Sequence, residues 1–225
     1  GGNCGATIVA GGNCTINVTY NPTVVSASDL DTVVVSYNDG VGAQNATRDV
    51  SGVAVAPASI TISQSDPYNF GSTPAGNNID FTFTMTNSGA VAATGISETG
   101  LAAPFGFLGG SFPGTGGTCG TSLNAGVTCS FVLRFNPSIA GSFTDTINMT
   151  YNNGVNSQAA TRDVAGTGVT VANLTISDVD PYDFGTIALG SSTNHTFTIT
   201  NAGGFTASSM TEVGIAAPFT FVGGS

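Results

Sequence analysis

The sequence predicts an all-β chain of tandem antiparallel sandwiches with a period of about 114 residues. Three observations lead there. Apolar and polar residues alternate with period two along several segments, as in strands with one wet face. Clusters of Asn, Asp and Gly separate those segments. The whole pattern is written twice. No sustained helical periodicity interrupts it.

The repeat sets the frame. Asp66-Pro67-Tyr68-Asn69-Phe70-Gly71 recurs as Asp180-Pro181-Tyr182-Asp183-Phe184-Gly185, and residues 55–111 match residues 169–225 at 28 of 57 positions. Cys4, Cys14 and Pro22 align with Cys119, Cys129 and Pro137 at an offset of 115, and Ala46-Thr47-Arg48-Asp49-Val50 aligns with Ala160-Thr161-Arg162-Asp163-Val164 at 114. The one-residue difference falls in the turn after the proline. Residues 1–54 therefore read as the C-terminal half of one unit, residues 55–168 as a complete unit and residues 169–225 as the N-terminal half of another. Only a stretch equivalent to residues 112–115 separates the two ends. Two explanations fit: a segment of a longer continuous array, the expected one, or a subunit whose front half completes the back half of its neighbour. A sandwich cut in half exposes apolar faces and unpaired edges, so neither half is expected to be stable alone.

Within a unit, Cys129, Phe131, Leu133 and Phe135 face inward, as do Cys14, Ile16, Val18 and Tyr20 in the aligned copy. Ile147, Met149 and Tyr151 alternate with Thr146, Asn148 and Thr150, and Ile79, Phe81, Phe83 and Met85 alternate with Asp80, Thr82, Thr84 and Thr86. Asn38-Asp39-Gly40 and Asn152-Asn153-Gly154 read as hairpin turns, because these residues tolerate positive φ. Asn87-Ser88-Gly89 and Asn201-Ala202-Gly203 close other strands. Seven or eight strands in about 114 residues suit an immunoglobulin-like sandwich.

Composition narrows the function. Only 7% of residues are charged, yet no run approaches the ~20 apolar residues of a membrane-spanning helix, so no membrane insertion is expected. Thirteen acidic residues face three basic ones, Arg48, Arg134 and Arg162, and Lys is absent. A net charge of -10 repels phosphate backbones and anionic lipid, which argues against nucleic acid as a partner. Cys4/Cys14 and Cys119/Cys129 share one spacing. An even count at a repeated spacing reads as disulfides in an oxidising compartment, with pairing inside each unit the natural choice among three connectivities. The competing zinc reading needs two more ligands for each pair, and His195 is the only histidine. An extracellular or cell-surface location follows. Since no signal peptide precedes Cys4, residue 1 is expected not to be the native start.

The order of motifs also carries a resemblance. Asp66, Phe70 and Gly71 are followed by Thr84, Thr86, Asn87 and Gly89, then by Cys119 and Cys129, Phe135 and Pro137, and Gly141 and Phe143. This series resembles bacterial choice-of-anchor D-type repeats, which are similar to Hydin-type and major-sperm-protein-like immunoglobulin folds. The resemblance covers the whole chain. It implies extracellular or cell-surface repeats of large bacterial proteins, with no catalytic residues to carry over, and it speaks to fold more than function.

Candidate chemical sites are few. His195 aligns with Phe81, and residues 55–168 contain no histidine, so no Ser-His-Asp set forms in the complete unit. Asp29 and Asp31 lie at a strand start, and Phe143 stands where the aligned copy would need the first of them. Asp178, Asp180 and Asp183 cluster just after a unit junction, opposite Gln64, Asp66 and Asn69 in the other copy; a junctional calcium is the functional reading and Asx-turn capping around Asp-Pro the structural one. No other cofactor is expected. Arg48 and Arg162 recur beside Asp49 and Asp163, as a solvated strand residue or a surface or interface contact. Of six Asn-x-Ser/Thr sequons, Asn17 and Asn148 point outward and are the candidates for glycosylation. The expectation is a non-catalytic structural repeat of an extracellular bacterial filament, stalk or surface fibre, whose partners are neighbouring copies of itself, head to tail. The alternative is an adhesin-type module recognising a surface glycan or protein, with Phe112-Pro113 and Phe205 as its exposed aromatics. An enzyme is not expected.

Overall fold

The computed structural model describes residues 1–223, and none of them lies in a helix. The strands are β1 (Ser26–Asn38), β2 (Ala43–Ala54), β3 (Ile60–Ile62), β4 (Tyr68–Pro74), β5 (Ile79–Asn87), β6 (Ala93–Glu98), β7 (Phe105–Phe107), β8 (Ser122–Leu123), β9 (Thr128–Phe135), β10 (Gly141–Asn152), β11 (Ser157–Val169), β12 (Leu174–Ile176) and β13 (Ile199–Asn201). The fold is all-β. Residues 60–169 hold a four-stranded sheet, β3-β5-β9-β7, and a five-stranded sheet, β4-β11-β10-β6-β8.

The core lies between these two sheets. Phe83, Met85, Phe131, Leu133 and Phe135 come from the first; Ile147, Met149 and Val164 come from the second; all eight are fully buried. Each apolar side chain of this kind withdrawn from water stabilises the fold by roughly 1.5–3 kcal/mol. Phe83 stacks on Phe131 with centroids 5.2 Å apart, and Phe135 stacks on Phe105 at 4.9 Å. Such pairs add to area burial. Ile79, expected inside, is 42% exposed at the end of β5, and Val132, expected outside, is 7% exposed. Val132 is covered because the segment before β8 folds over β9: Leu108 N–H donates to Val132 O and Val132 N–H donates to Pro113 O.

Asn87 organises the turn after β5. Its side chain is fully buried and makes four hydrogen bonds. Oδ1 accepts the Ser59 and Gly89 N–H groups, and Nδ2 donates to Val91 O at 2.8 Å and Leu123 O at 3.0 Å. A buried amide is tolerated when its full capacity is met.

Two expectations need correction. The pairing is not antiparallel throughout, since β4 runs parallel to β11. The cause is a change of sheet: β3 belongs to one sheet and β4, next along the chain, to the other. The alternating segment at residues 14–20 is also not a strand, and of residues 193–199, the repeat counterpart of residues 79–85, only the last enters one, in β13. In the complete unit β9 is paired on one side by β5 and on the other by β7. Residues 14–20 have no such neighbours, and Ile16, Val18 and Tyr20 are 48–60% exposed. Outside residues 60–169, the paired strands are the β1-β2 hairpin and the short β12-β13 pair. The hairpin turns form as expected. Gly40 and Gly154 have φ of 97° and 94°, and each N–H is accepted by the Asn two residues earlier, Asn38 and Asn152.

The two settings of one repeat position give a direct test. Phe131→Ala is expected to lower the unfolding free energy by about 3–5 kcal/mol in urea titration. Ile16→Ala, at the equivalent exposed position, is expected to move the same transition by less than about 0.5 kcal/mol.

Candidate functional site

The groups of interest are polar side chains set on the strand framework. Arg162 on β11 reaches across to the other sheet. Its Nη2 donates to Ile62 O on β3 at 2.7 Å, and its Nη1 lies 3.6 Å from Asp66 Oδ2. Asp66 Oδ1 also accepts the Asp163 N–H at 2.9 Å. Tyr151 OH accepts the Ile60 N–H, a second tie between the sheets. The Arg162 side chain is only 14% exposed and its Nε is buried without a partner. It is an inter-sheet tie rather than a solvated strand residue. Arg48, its repeat counterpart, makes no ion pair among the described residues.

Both disulfides are present, Cys4–Cys14 and Cys119–Cys129. The second is buried and closes the Gly-rich loop against β9, where the Thr118 and Cys119 N–H groups both donate to Ser130 O. Phe112, expected as an exposed ligand-binding aromatic, packs instead on Phe107 and Phe131. Phe205 is 40% exposed and lines a shallow depression with Pro74 and Ile79.

The acidic cluster does not converge. Asp178 Oδ2 lies 3.0 Å from His195 Nε2, and Ser177 Oγ donates to the same carboxylate. Tyr182 OH lies 2.9 Å from His195 Nδ1, and the two rings stack at 3.9 Å. The bond to His195, helped by Ser177, holds the Asp178 carboxyl below its ordinary range. Asp183 Oδ1 accepts the Gly185 N–H as an Asx turn. Among the described residues no three of His, Cys, Asp and Glu are grouped to hold a metal, so Asp178, Asp180 and Asp183 are not brought together as calcium ligands. His195, Tyr182 and Asp178 are brought together instead. Ser177 donates to the aspartate and not to the imidazole, so this is not a nucleophile–base pair. In the complete unit Tyr68 packs on Phe81 in the same place, with centroids 4.2 Å apart and the rings tilted by 30°, and Gln64 takes the positive-φ position of Asp178. His195 preserves a ring-on-ring contact and gains a partner in Asp178.

The other acids have local tasks. Asp29 accepts the Tyr20 hydroxyl, which holds its carboxyl below the ordinary range, and Asp31 caps the Thr32 N–H. Asp80 and Arg134, directly opposite on β5 and β9, form a two-pronged ion pair at 2.7 and 2.8 Å. Glu98 accepts the Leu101 N–H, and the neighbouring Asp145 accepts the Ala102 N–H. Burial, with the Asp145 charge added, pushes the Glu98 carboxyl above its ordinary value. Asn17 is exposed, as expected of a glycan acceptor. Asn148 is half-buried beside Thr99 with its Oδ1 enclosed, because the chain after β6 folds over it.

No protein-family model matches the chain, and no curated protein matches it. Parts of it are similar to solved structures. One is the VesB protease of Vibrio cholerae, at 22% identity and a TM-score of 0.39, over 49% of this chain and 32% of that one. Another is a PapD-like domain of human CEP192, at 13% identity and a TM-score of 0.37, over 52% and 88%. A third is a protein of unknown function from Porphyromonas gingivalis W83, at 11% identity and a TM-score of 0.37, over 68% and 70%. This chain thus spans about a third of the Vibrio protease. At TM-scores this low, none of the likenesses carries a role to this chain.

Three outcomes follow from the geometry. The double substitution Cys119→Ser with Cys129→Ser is expected to cost about 2–3 kcal/mol of unfolding free energy. Cys4→Ser with Cys14→Ser is expected to leave that transition in place, since that bridge lies outside the buried core. Glu98 has a raised carboxyl pKa in the folded state, so its contribution is intact below the ordinary Glu range and is lost as pH rises through the raised value. Glu98→Gln is therefore expected to be more stable than the parent at neutral pH and equal to it in acid, read by urea titration at both.

Proposed function

We propose that the chain is a non-catalytic structural repeat of an extracellular filament, stalk or surface fibre, built of tandem immunoglobulin-like sandwiches of about 114 residues. The observation that supports this most is the repeat itself: one unit with its own enclosed core, flanked on both sides by partial copies of the same motif order. Units that each bury their own core add length in proportion to their number. The two disulfides are consistent with an oxidising, secreted setting. The bacterial origin of the fibre comes from the resemblance to choice-of-anchor D-type repeats. The outer face suits a soluble shaft: Thr82, Thr84 and Thr86 alternate along β5 with the buried Phe83 and Met85.

The test is the shape of defined arrays. Chains of two, four and six whole units, measured by small-angle X-ray scattering, are expected to gain maximum dimension in equal steps per unit. A dimension that instead levels off, as for a globule, would overturn the reading.

A further inference from the structure

The chain crosses from one repeat unit to the next twice, at residues 54–56 and at residues 168–170. Between domains the default is an exposed linker and free relative motion. Both crossings are exposed, Val55 by 47% and Val171 by 57%. Neither is slack, because the backbone is held almost residue by residue.

At the second crossing the last residues of β11 are anchored in the complete unit. Gly168 lies so close to Ile139 O and Pro137 that a Cβ would overlap both, and Val169 O accepts the Ala75 N–H at 2.8 Å. The very next residue is anchored in the following unit, where Thr170 Oγ1 accepts the Gly204 N–H at 2.8 Å. Gly203 has no room for a Cβ against Val171 O. Asn173 is held on both sides, its N–H donating to Asn201 Oδ1 and its carbonyl accepting the Ala202 N–H. No residue separates the two sets of anchors.

The first crossing is built in the same way. Ala54 pairs with Ser26 in the preceding hairpin. Ala56 O accepts the Ala90 N–H at 3.1 Å, and Gly89 has no room for a Cβ against Pro57 O. Ser59 N–H donates to Asn87 Oδ1, and Ser59 O accepts the Ser88 N–H. Only Val55 stands between the anchors. Ala90 and Gly204 occupy one repeat position, and so do Ala56 and Thr170. The acceptor changes from a carbonyl to a hydroxyl, yet the contact is kept. It is a property of the turn rather than of one side chain.

We propose that the turn at residues 87–90, with its counterpart at residues 201–204, is a clamp on the incoming chain that leaves consecutive units without a hinge, so that the array bends as a rod and not as beads on a string. A hinge needs backbone residues free to absorb a change in φ and ψ, and these crossings leave at most one. The proposal rests on the repeat frame and goes beyond the shaft reading, since units joined by loose linkers also add length.

The test is backbone amide relaxation and residual dipolar coupling on the whole chain. Order parameters of Val55, Ala56, Val169 and Thr170 are expected at about 0.85, as in β10 and β11. In a dilute liquid-crystalline medium the β1-β2 hairpin is expected to align as strongly as β10 and β11, which extends the reading to slower swings. Inserting Gly-Ser-Gly between Val169 and Thr170 supplies the unclamped reference, with order parameters beside the insertion falling below about 0.6. Gly203→Ala is expected to lower the values at residues 169–172 toward that reference and to leave Val55, Ala56 and the melting of the central unit unchanged. Thr170→Val is expected to loosen the same residues, and Thr170→Ser to keep them as in the parent. Parent values below about 0.6 at either crossing with β10 and β11 rigid, a hairpin aligned markedly more weakly than the central unit, or a Gly203→Ala chain as ordered as the parent would each overturn the clamp. Loose crossings beside arrays that still lengthen in equal steps would overturn the rod alone and not the shaft.

Discussion

The structure depends on one requirement: a strand at the centre of a sheet needs a hydrogen-bonding neighbour on each edge before its apolar face can be buried. β9 meets it, with β5 on one side and β7 on the other, and its inward residues vanish from solvent. Residues 14–20 carry the same alternation and the same cysteine, yet form no strand. The difference lies in the neighbours, not in local propensity. β-propensity expresses fit to a paired, half-buried surface, and without the pairing it has nothing to act on.

That contrast marks how much of the fold was legible in the sequence. Inward and outward faces of β5, β9 and β10 could be read from alternation, because period two maps directly onto the two sides of a sheet. The turns at Gly40 and Gly154 could be read from Asn and Asp chemistry. The parallel pairing of β4 with β11 could not, since alternation does not encode direction. Nor could the burial of Val132, which is covered by a loop whose path depends on a disulfide and on the packing of Phe112.

The polar sites were less legible. Asp178, Asp180 and Asp183 look like a ligand set in one dimension, but the segment just before β13 brings the His195 imidazole to Asp178 instead. The available signal was a joint change: Gln64 and Phe81 in one copy become Asp178 and His195 in the other. Arg162 hid for a different reason. An arginine beside an aspartate on a strand reads as a surface pair, while its true partners, Asp66 and the Ile62 carbonyl, are distant in sequence.

The parallel contact between β4 and β11 has a mechanical consequence. The chain enters the complete unit through the short β3, crosses to the other sheet at β4, and leaves at the end of β11. Tension applied through the two ends therefore drags these neighbours in opposite directions along their length. The five paired positions from Val164 with Tyr68 to Val169 with Pro74 share that load side by side, in shear, and do not open one at a time as a hairpin does. A unit wired in this way resists being pulled apart by its two ends.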